Sequence, residues 1–286
     1  MTREVMAAPQ EAGYIRPMAV AADRAPVGAL LREWRRRRRL SQMELASGAA
    51  VSTRHLSFIE TGRSRPSREM VLHLADRLGV PLGERNRLLL AAGYAPVYGR
   101  RALSSAEMAP VREALDRLLA AHEPYPALVL DRLHDIVAAN RAVATLTEGV
   151  APRLLEPPAN ALRIALHPDG LAPRTINLAE WSGHLLQRLR REVAISGDAE
   201  LAALYRELAG YPRVHADPPS PASPGGAEVM LALRVRGPHG DLAFFSTVTV
   251  FATALDVTLA ELSVEAFYPA DPRTAAFLVE RAAPVP

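Results

Sequence analysis

Apolar residues recur at helical spacing from Val27 to about Tyr94, and the texture changes after that. Val27, Leu30, Leu31 and Trp34 share one face of a first helix predicted over about Val27–Arg38. Ser41 with Glu44 three residues on is the capping-box pattern, opening a second helix that buries Leu45 and Ala46. That helix turns at Gly48-Ala49-Ala50. A third begins at Ser52, turns Leu56 and Ile59 inward, takes Val51 as its entry staple and stops at Thr61-Gly62. Pro66-Ser67 starts a fourth, with Val71, Leu74, Ala75 and Leu78 as its apolar set. Gly79-Val80-Pro81 separates it from a fifth that ends at Gly93. Short helices with short connections predict a compact all-α bundle over residues 27–94.

Residues 1–26 hold Pro9, Gly13, Pro17 and Pro26 without a sustained period and are expected to be a flexible leader. Residues 95–109, with Pro96, Gly99 and Ser104-Ser105, are expected to be a linker. A second domain is expected over residues 110–286. Its pattern gives a helix at about Pro110–His122, short strand-type runs at Ala127–Asp131 and Asp135–Ala139, and helices at about Asn160–Leu166, Leu178–Ile195 and Ala199–Ala209. Tyr211–Gly226 is loop by its Pro, Ser and Gly content. Alternation then predicts strands at Val229–Val235, Leu242–Phe251 and Leu259–Tyr268, with a hairpin turn at Gly237-Pro238-His239-Gly240. The fold class is therefore two-domain: a five-helix bundle, then an α+β domain with an antiparallel sheet.

Composition removes several chemistries. With no cysteine there are no disulfides, thiolate metal sites or cysteine nucleophiles. Lysine is also absent, which excludes a P-loop and a Schiff-base mechanism. No apolar run reaches membrane-spanning length, and the first residues lack the marks of a secretory signal, so a cytoplasmic protein is expected. The net charge of +3 divides unevenly. Val27–Arg100 holds 14 arginines against 6 acidic residues, a net +8, and the rest holds 20 against 25, a net −5. A compact basic segment on a mildly acidic body points to nucleic-acid binding by that segment.

Leu40-Ser41-Gln42-Met43-Glu44-Leu45-Ala46, then Val51-Ser52, then Phe58-Ile59-Glu60-Thr61-Gly62 with Pro66 beyond, resembles the helix-turn-helix of phage repressors and Cro, the XRE family. The partner expected is double-stranded DNA, bound by a homodimer. With Leu56 and Ile59 inward, the third helix presents Thr53, Arg54 and Ser57 outward, where such a helix meets base edges in the major groove. Arg54 is the best reader, since a guanidinium bridges O6 and N7 of guanine. Ser52 at the helix N-terminus and Arg63 and Arg65 beyond it fit phosphate contacts. The resemblance adds Gln42 on the DNA backbone and a pairing of Arg35 with Glu60 that ties the first helix to the third. Phe58 fits either a thymine methyl or the bundle core, and packing is the favoured reading. The turn often holds glycine where this chain has Ala50, a cost of about 1 kcal/mol if φ is positive there. Gly48 is expected to relieve it by shifting the turn.

Pro126-Ala127-Leu128-Val129-Leu130-Asp131, Ala138-Ala139-Asn140-Arg141-Ala142, His167-Pro168-Asp169-Gly170-Leu171, Arg174, Asn177 and Trp181, with the late strands, resemble MmyB-like regulators. The resemblance implies a PAS-like fold and a fatty-acid ligand. Trp181, Leu185 and Leu189 make a helical stripe, and Phe244, Phe245 and Tyr268 give apolar strand faces, as either ligand wall or plain core. His167, Arg163 or Arg174 could meet a lipid carboxylate, or simply make structural hydrogen bonds around the Pro168-Asp169-Gly170 turn. For each residue, taken alone, the structural hydrogen bond is the expected role. No GxSxG, post-strand GxGxxG or HExxH is present, so no catalytic residue, metal site or cofactor is expected. Two alternatives to a sensor remain: a domain that only dimerises, and an enzyme with a regulatory DNA-binding domain.

Overall fold

The structure is a computed structural model that describes residues 25–215, 230–237 and 240–282. Nearly all of the expected leader, residues 216–226 of the expected loop, Val229, and the turn residues Pro238 and His239 lie outside the described residues. The chain divides into two units. One takes the described residues up to Val111 together with Thr253–Ala260, and the other takes Arg112–Ala252 and the chain from Glu261.

The first unit contains α1 (Val27–Arg37), α2 (Gln42–Gly48), α3 (Thr53–Glu60), α4 (Arg68–Arg77) and α5 (Leu82–Ala91). Three serines begin three of them. Ser41 Oγ accepts from the Glu44 N–H while the Glu44 carboxylate accepts from the Ser41 N–H, so the capping box is complete. Ser52 Oγ accepts from His55 N and Ser67 Oγ from Met70 N, each filling an orphan donor of a first turn. The core is the predicted apolar set: Leu31, Trp34, Leu45, Leu56, Ile59, Leu74 and Leu89 are all buried. Gly28 lets α1 approach the end of α3, since a Cβ there would lie 2.1 Å from the Ile59 carbonyl oxygen. The turn is not shifted onto Gly48. Ala50 itself holds the left-handed conformation, at φ 51°, and Gly48 ends α2.

The second unit begins with the rest of α6 (Ala109–Ala121). β1 (Ala127–Leu130) and β2 (Ile136–Ala139) follow, then α7 (Ala144–Thr147), α8 (Pro152–Leu155), α9 (Ala161–Leu166), α10 (Leu178–Ser196) and α11 (Ala199–Ala209). The chain closes with β3 (Leu233–Gly237), β4 (Gly240–Val250), α12 (Val257–Ala260), β5 (Ser263–Pro269) and α13 (Pro272–Ala282). The strands form one antiparallel sheet in the order β2-β1-β5-β4-β3, with Val129 opposite Val264, Thr247 opposite Ala266 and Leu233 opposite Phe244. α10 and α11 lay Leu185, Leu186, Leu189, Leu201, Leu204 and Leu208 into a core shared with Leu128, Leu130, Phe244 and Phe267. Gly197 ends α10 in the left-handed region at φ 66°, and Asp198 caps α11.

The strands all shift at one end or both, and β3 and β5 start furthest from their predicted bounds. β3 starts at Leu233, because Asn177 draws the chain just before it into side-chain bonds: its amide donates to Ala232 O and accepts from Arg234 N. The run from Leu259 is not strand at its start. Asp256 Oδ1 accepts from Thr258 N, nucleating α12, and β5 begins only at Ser263. This stretch completes the first unit. Val257 N donates to Gly99 O, Arg101 Nη1 lies 2.9 Å from Asp256 Oδ2, and Thr258 Oγ1 donates to Arg101 O.

Candidate nucleic-acid interface and ligand cavity

The position of α3 rests on a carboxylate. Glu60, its side chain fully buried at the helix end, accepts from Arg35 Nε at 2.7 Å and Nη2 at 2.9 Å. Arg32 and Gln42 complete the cluster, with Gln42 Nε2 2.8 Å from Glu60 Oε2. Burial alone would raise the Glu60 pKa, but the Arg35, Gln42 and Arg32 donors outweigh it and hold the carboxyl below its ordinary range. Arg35 also donates to Leu40 O, so one guanidinium fixes α1, the following turn and α3 together.

Outward from this tie, Ser52, Thr53 and Arg54 are exposed and Ser57 is half-buried. Arg54 rests its guanidinium 5.4 Å above the half-buried ring of Phe58, which keeps the charge on the outer side of α3. Arg63 is exposed, and its guanidinium has no partner among the described residues. Two other residues expected on DNA are engaged within the fold. Gln42 is spent on Glu60, and Arg65 donates from Nε and Nη2 to Ala92 O at 3.2 and 2.9 Å while covering Tyr94. Arg65 thus caps the C-terminus of α5, a favourable place for a cation.

In the second unit an apolar cavity of about 70 Å³ lies among Leu128, Leu146, Leu162, Trp181, Leu185 and Phe267. Of the stripe on α10, Trp181 and Leu185 line it, while Leu189 lies deeper in the core. Phe244 is buried edge-on to Phe267 in that same core. Phe245 and Tyr268, by strand alternation, occupy the other face of the sheet. There their rings stack at 5.2 Å, and Tyr268 Oη bonds His122 Nε2 at 2.8 Å.

The cations do not line the cavity. His167 Nδ1 accepts from Asp169 N at 2.9 Å, Arg163 forks onto Glu207 at 2.8 Å, and Arg174 donates to the carbonyls of Arg236, Glu148 and Thr145. Burial lowers the Arg174 pKa, and the nearby Glu148 carboxylate does not reverse it. Gly170 closes this turn tightly, since a Cβ would lie 2.2 Å from Ile164 O. The sequence reading missed the cavity's polar lining, Thr147 and Glu265. A glutamate inside the apolar run Val264–Phe267 was the available signal.

A helix-turn-helix bundle in one unit and, in the other, an antiparallel sheet with helices around an apolar cavity define a two-domain regulator architecture. The chain belongs to the family of the MmyB-like transcription regulator ligand binding domain, which matches residues 111–280. Residues 26–88 match a helix-turn-helix domain family. Curated relatives include uncharacterized HTH-type transcriptional regulators of Mycobacterium bovis and Mycobacterium tuberculosis. Each is 39% identical over 70 residues, which is 24% of this chain and 27% of the relative. The match therefore spans about a quarter of the length of either protein. Among the described residues, no helix is long and apolar enough to cross a membrane and no group of His, Asp and Glu has metal-binding geometry.

Proposed function

We propose that this chain is a non-enzymatic, cytoplasmic DNA-binding regulator, acting as a homodimer, whose second unit takes an aliphatic amphiphile resembling a fatty acid. The observation that carries the DNA reading is the exposed pair Thr53 and Arg54 on a helix locked by the buried Arg35–Glu60 tie. A rigidly held helix with a free arginine near its N-terminus suits base-edge recognition. Paired modules would reach half-sites about one DNA turn apart. Domain limits near residues 27–94 and 110–286 suit this division of labour.

The ligand reading rests on the apolar cavity. Each methylene buried there contributes roughly 0.8 kcal/mol, so affinity should climb with chain length. At about 70 Å³ the cavity is well below the roughly 300 Å³ at which ligand pockets usually begin, so the climb levels off unless the lining parts.

Selection of duplexes by the full chain from a random pool tests the first half. Enrichment of a two-fold site, with affinity falling steeply as salt rises, is expected. Failure to enrich any sequence removes the DNA reading. Thermal shift over an acyl-length series tests the second, since a ligand of the folded state raises the melting temperature by mass action.

A further inference from the structure

We infer that Arg39, in the turn between α1 and α2, binds a DNA phosphate, and that the fold is less stable for keeping an arginine there. The inference rests on the DNA reading above and adds a backbone contact outside α3 and the turn that follows it. All five helices of the first unit close in the same way. The second residue past each helix donates its N–H three residues back, and the next residue donates five back. After α1 these are Arg39 N to Arg36 O at 2.9 Å and Leu40 N to Arg35 O at 3.1 Å. The closing residues are Arg39, Ala50, Gly62, Gly79 and Gly93, at φ 57°, 51°, 74°, 57° and 81°. Glycine enters that left-handed region without steric penalty, and an L side chain does not. Three of the five are glycine. Ala50 departs by a methyl, and Arg39 departs by a long charged side chain.

Nothing in the described fold offsets that strain. Arg39 is exposed, and its guanidinium has no partner among the described residues. Its neighbours behave differently. Arg35 is bound to Glu60, and Arg38 donates to Leu78 O at 2.7 Å and to Gly79 O at 2.8 Å. A strained residue whose side chain does nothing inside the fold points to a role outside it. The surroundings name the partner. Arg35 donates both to Leu40 O and to Glu60, so the residue after Arg39 is fixed to the end of α3. Arg63, exposed and also without a partner among the described residues, stands three residues past Glu60. These two guanidinium groups flank the end of the helix whose start carries Arg54. On a segment of net charge +8, such a group suits the phosphate of a duplex, which it binds without reading sequence.

Thermal melting and duplex binding of the full chain, measured on the same variants, test the assignment. The probes are the selected duplex and a random-sequence duplex, each of about 30 base pairs, which leaves room for two half-sites. Arg39→Gly keeps the turn and removes the charge. Its melting midpoint should rise by roughly 2–5 °C. Its binding should weaken equally on both duplexes, and the slope of log K against log salt should shrink by about 0.9 per bound protomer. Arg39→Ala should lose the same affinity without the gain in stability, and Arg39→Lys should keep the slope. A wild-type slope in Arg39→Gly overturns the inference, as does a loss confined to the selected duplex. A midpoint that fails to rise in Arg39→Gly overturns the strain. An equal fall in slope in Arg87→Ala, which takes one charge from α5, would show that only net charge is felt and overturns the contact. No duplex binding by the wild-type chain removes the DNA reading itself, a result distinct from a misplaced contact.

Discussion

Ala50 carries the turn between α2 and α3 at φ 51°, a region that costs an L-residue roughly 1–2 kcal/mol. Ala50 itself is exposed, so removing its methyl costs little packing. Ala50→Gly should therefore stabilise the fold, by about 0.5–1 kcal/mol after the greater freedom of glycine in the unfolded chain is set against the relief. Chemical denaturation measures it, and a destabilised variant would show that the turn is not strained. The arginines separate in the same way. Arg54→Ala should cost on the order of 1–3 kcal/mol on the selected operator and relax preference at one base pair. Arg63→Ala should weaken all sequences alike and lower the salt slope by about 1. Arg65→Ala should instead lower the melting temperature, because its guanidinium caps α5. Identical behaviour of Arg54→Ala and Arg63→Ala on specific and random duplexes would contradict the assignment of α3 as the reading helix.

α3 is an element of eight residues, too short to hold its own geometry, so its orientation comes from Glu60 and from Leu56 and Ile59 beneath it. Glu60→Gln leaves Arg35 buried without a counter-charge, and a loss of roughly 3–5 kcal/mol is expected. The pH dependence has a definite sign. Because the folded state holds Glu60 below its ordinary range, its contribution is complete above the unfolded carboxyl pKa of about 4.3 and is lost as pH falls through the lower folded value. Acid titration of stability should show that loss in the wild type and a flatter profile in Glu60→Gln; parallel profiles would contradict it. Elements of this kind were legible in the sequence, because serine caps and a helical apolar period are local signals. α13 was legible as well and was overlooked: Asp271 before Pro272 is a cap followed by a first-turn proline, and Asp271 Oδ1 does accept from Thr274 N. Glu265 stood out in the sequence as a glutamate inside an apolar run, but not as a cavity residue. Its meaning depends on β5 lying between β1 and β4, a pairing that no local pattern specifies.

At the scale of the whole molecule, the first unit is not one continuous stretch of chain, since it includes Thr253–Ala260. Residues expected to be linker are pinned by α12, which arrives from the connection between β4 and β5, and Gly99 pairs with Asp256. Val257 is 1% exposed, and Asp256 and Thr258 are buried beside it. Burying a valine contributes about 1.5–3 kcal/mol, so a fragment ending at Val111 should lose roughly 2 kcal/mol of stability. For a helical unit of this size that lowers the melting temperature by about 10 °C. The two tryptophans make the measurement possible, since Trp34 lies in the first unit and Trp181 in the second. Trp181→Phe leaves Trp34 as the reporter, buried under Arg37 and Arg38. Its fluorescence should report a lower melting midpoint in the fragment than in the full chain, with Asp256→Ala in the full chain moving part of the way. Equal midpoints would show that α12 contributes nothing to the helical unit. A lower midpoint would mean that the helical unit draws part of its stability from a segment joined at both ends to strands of the second unit.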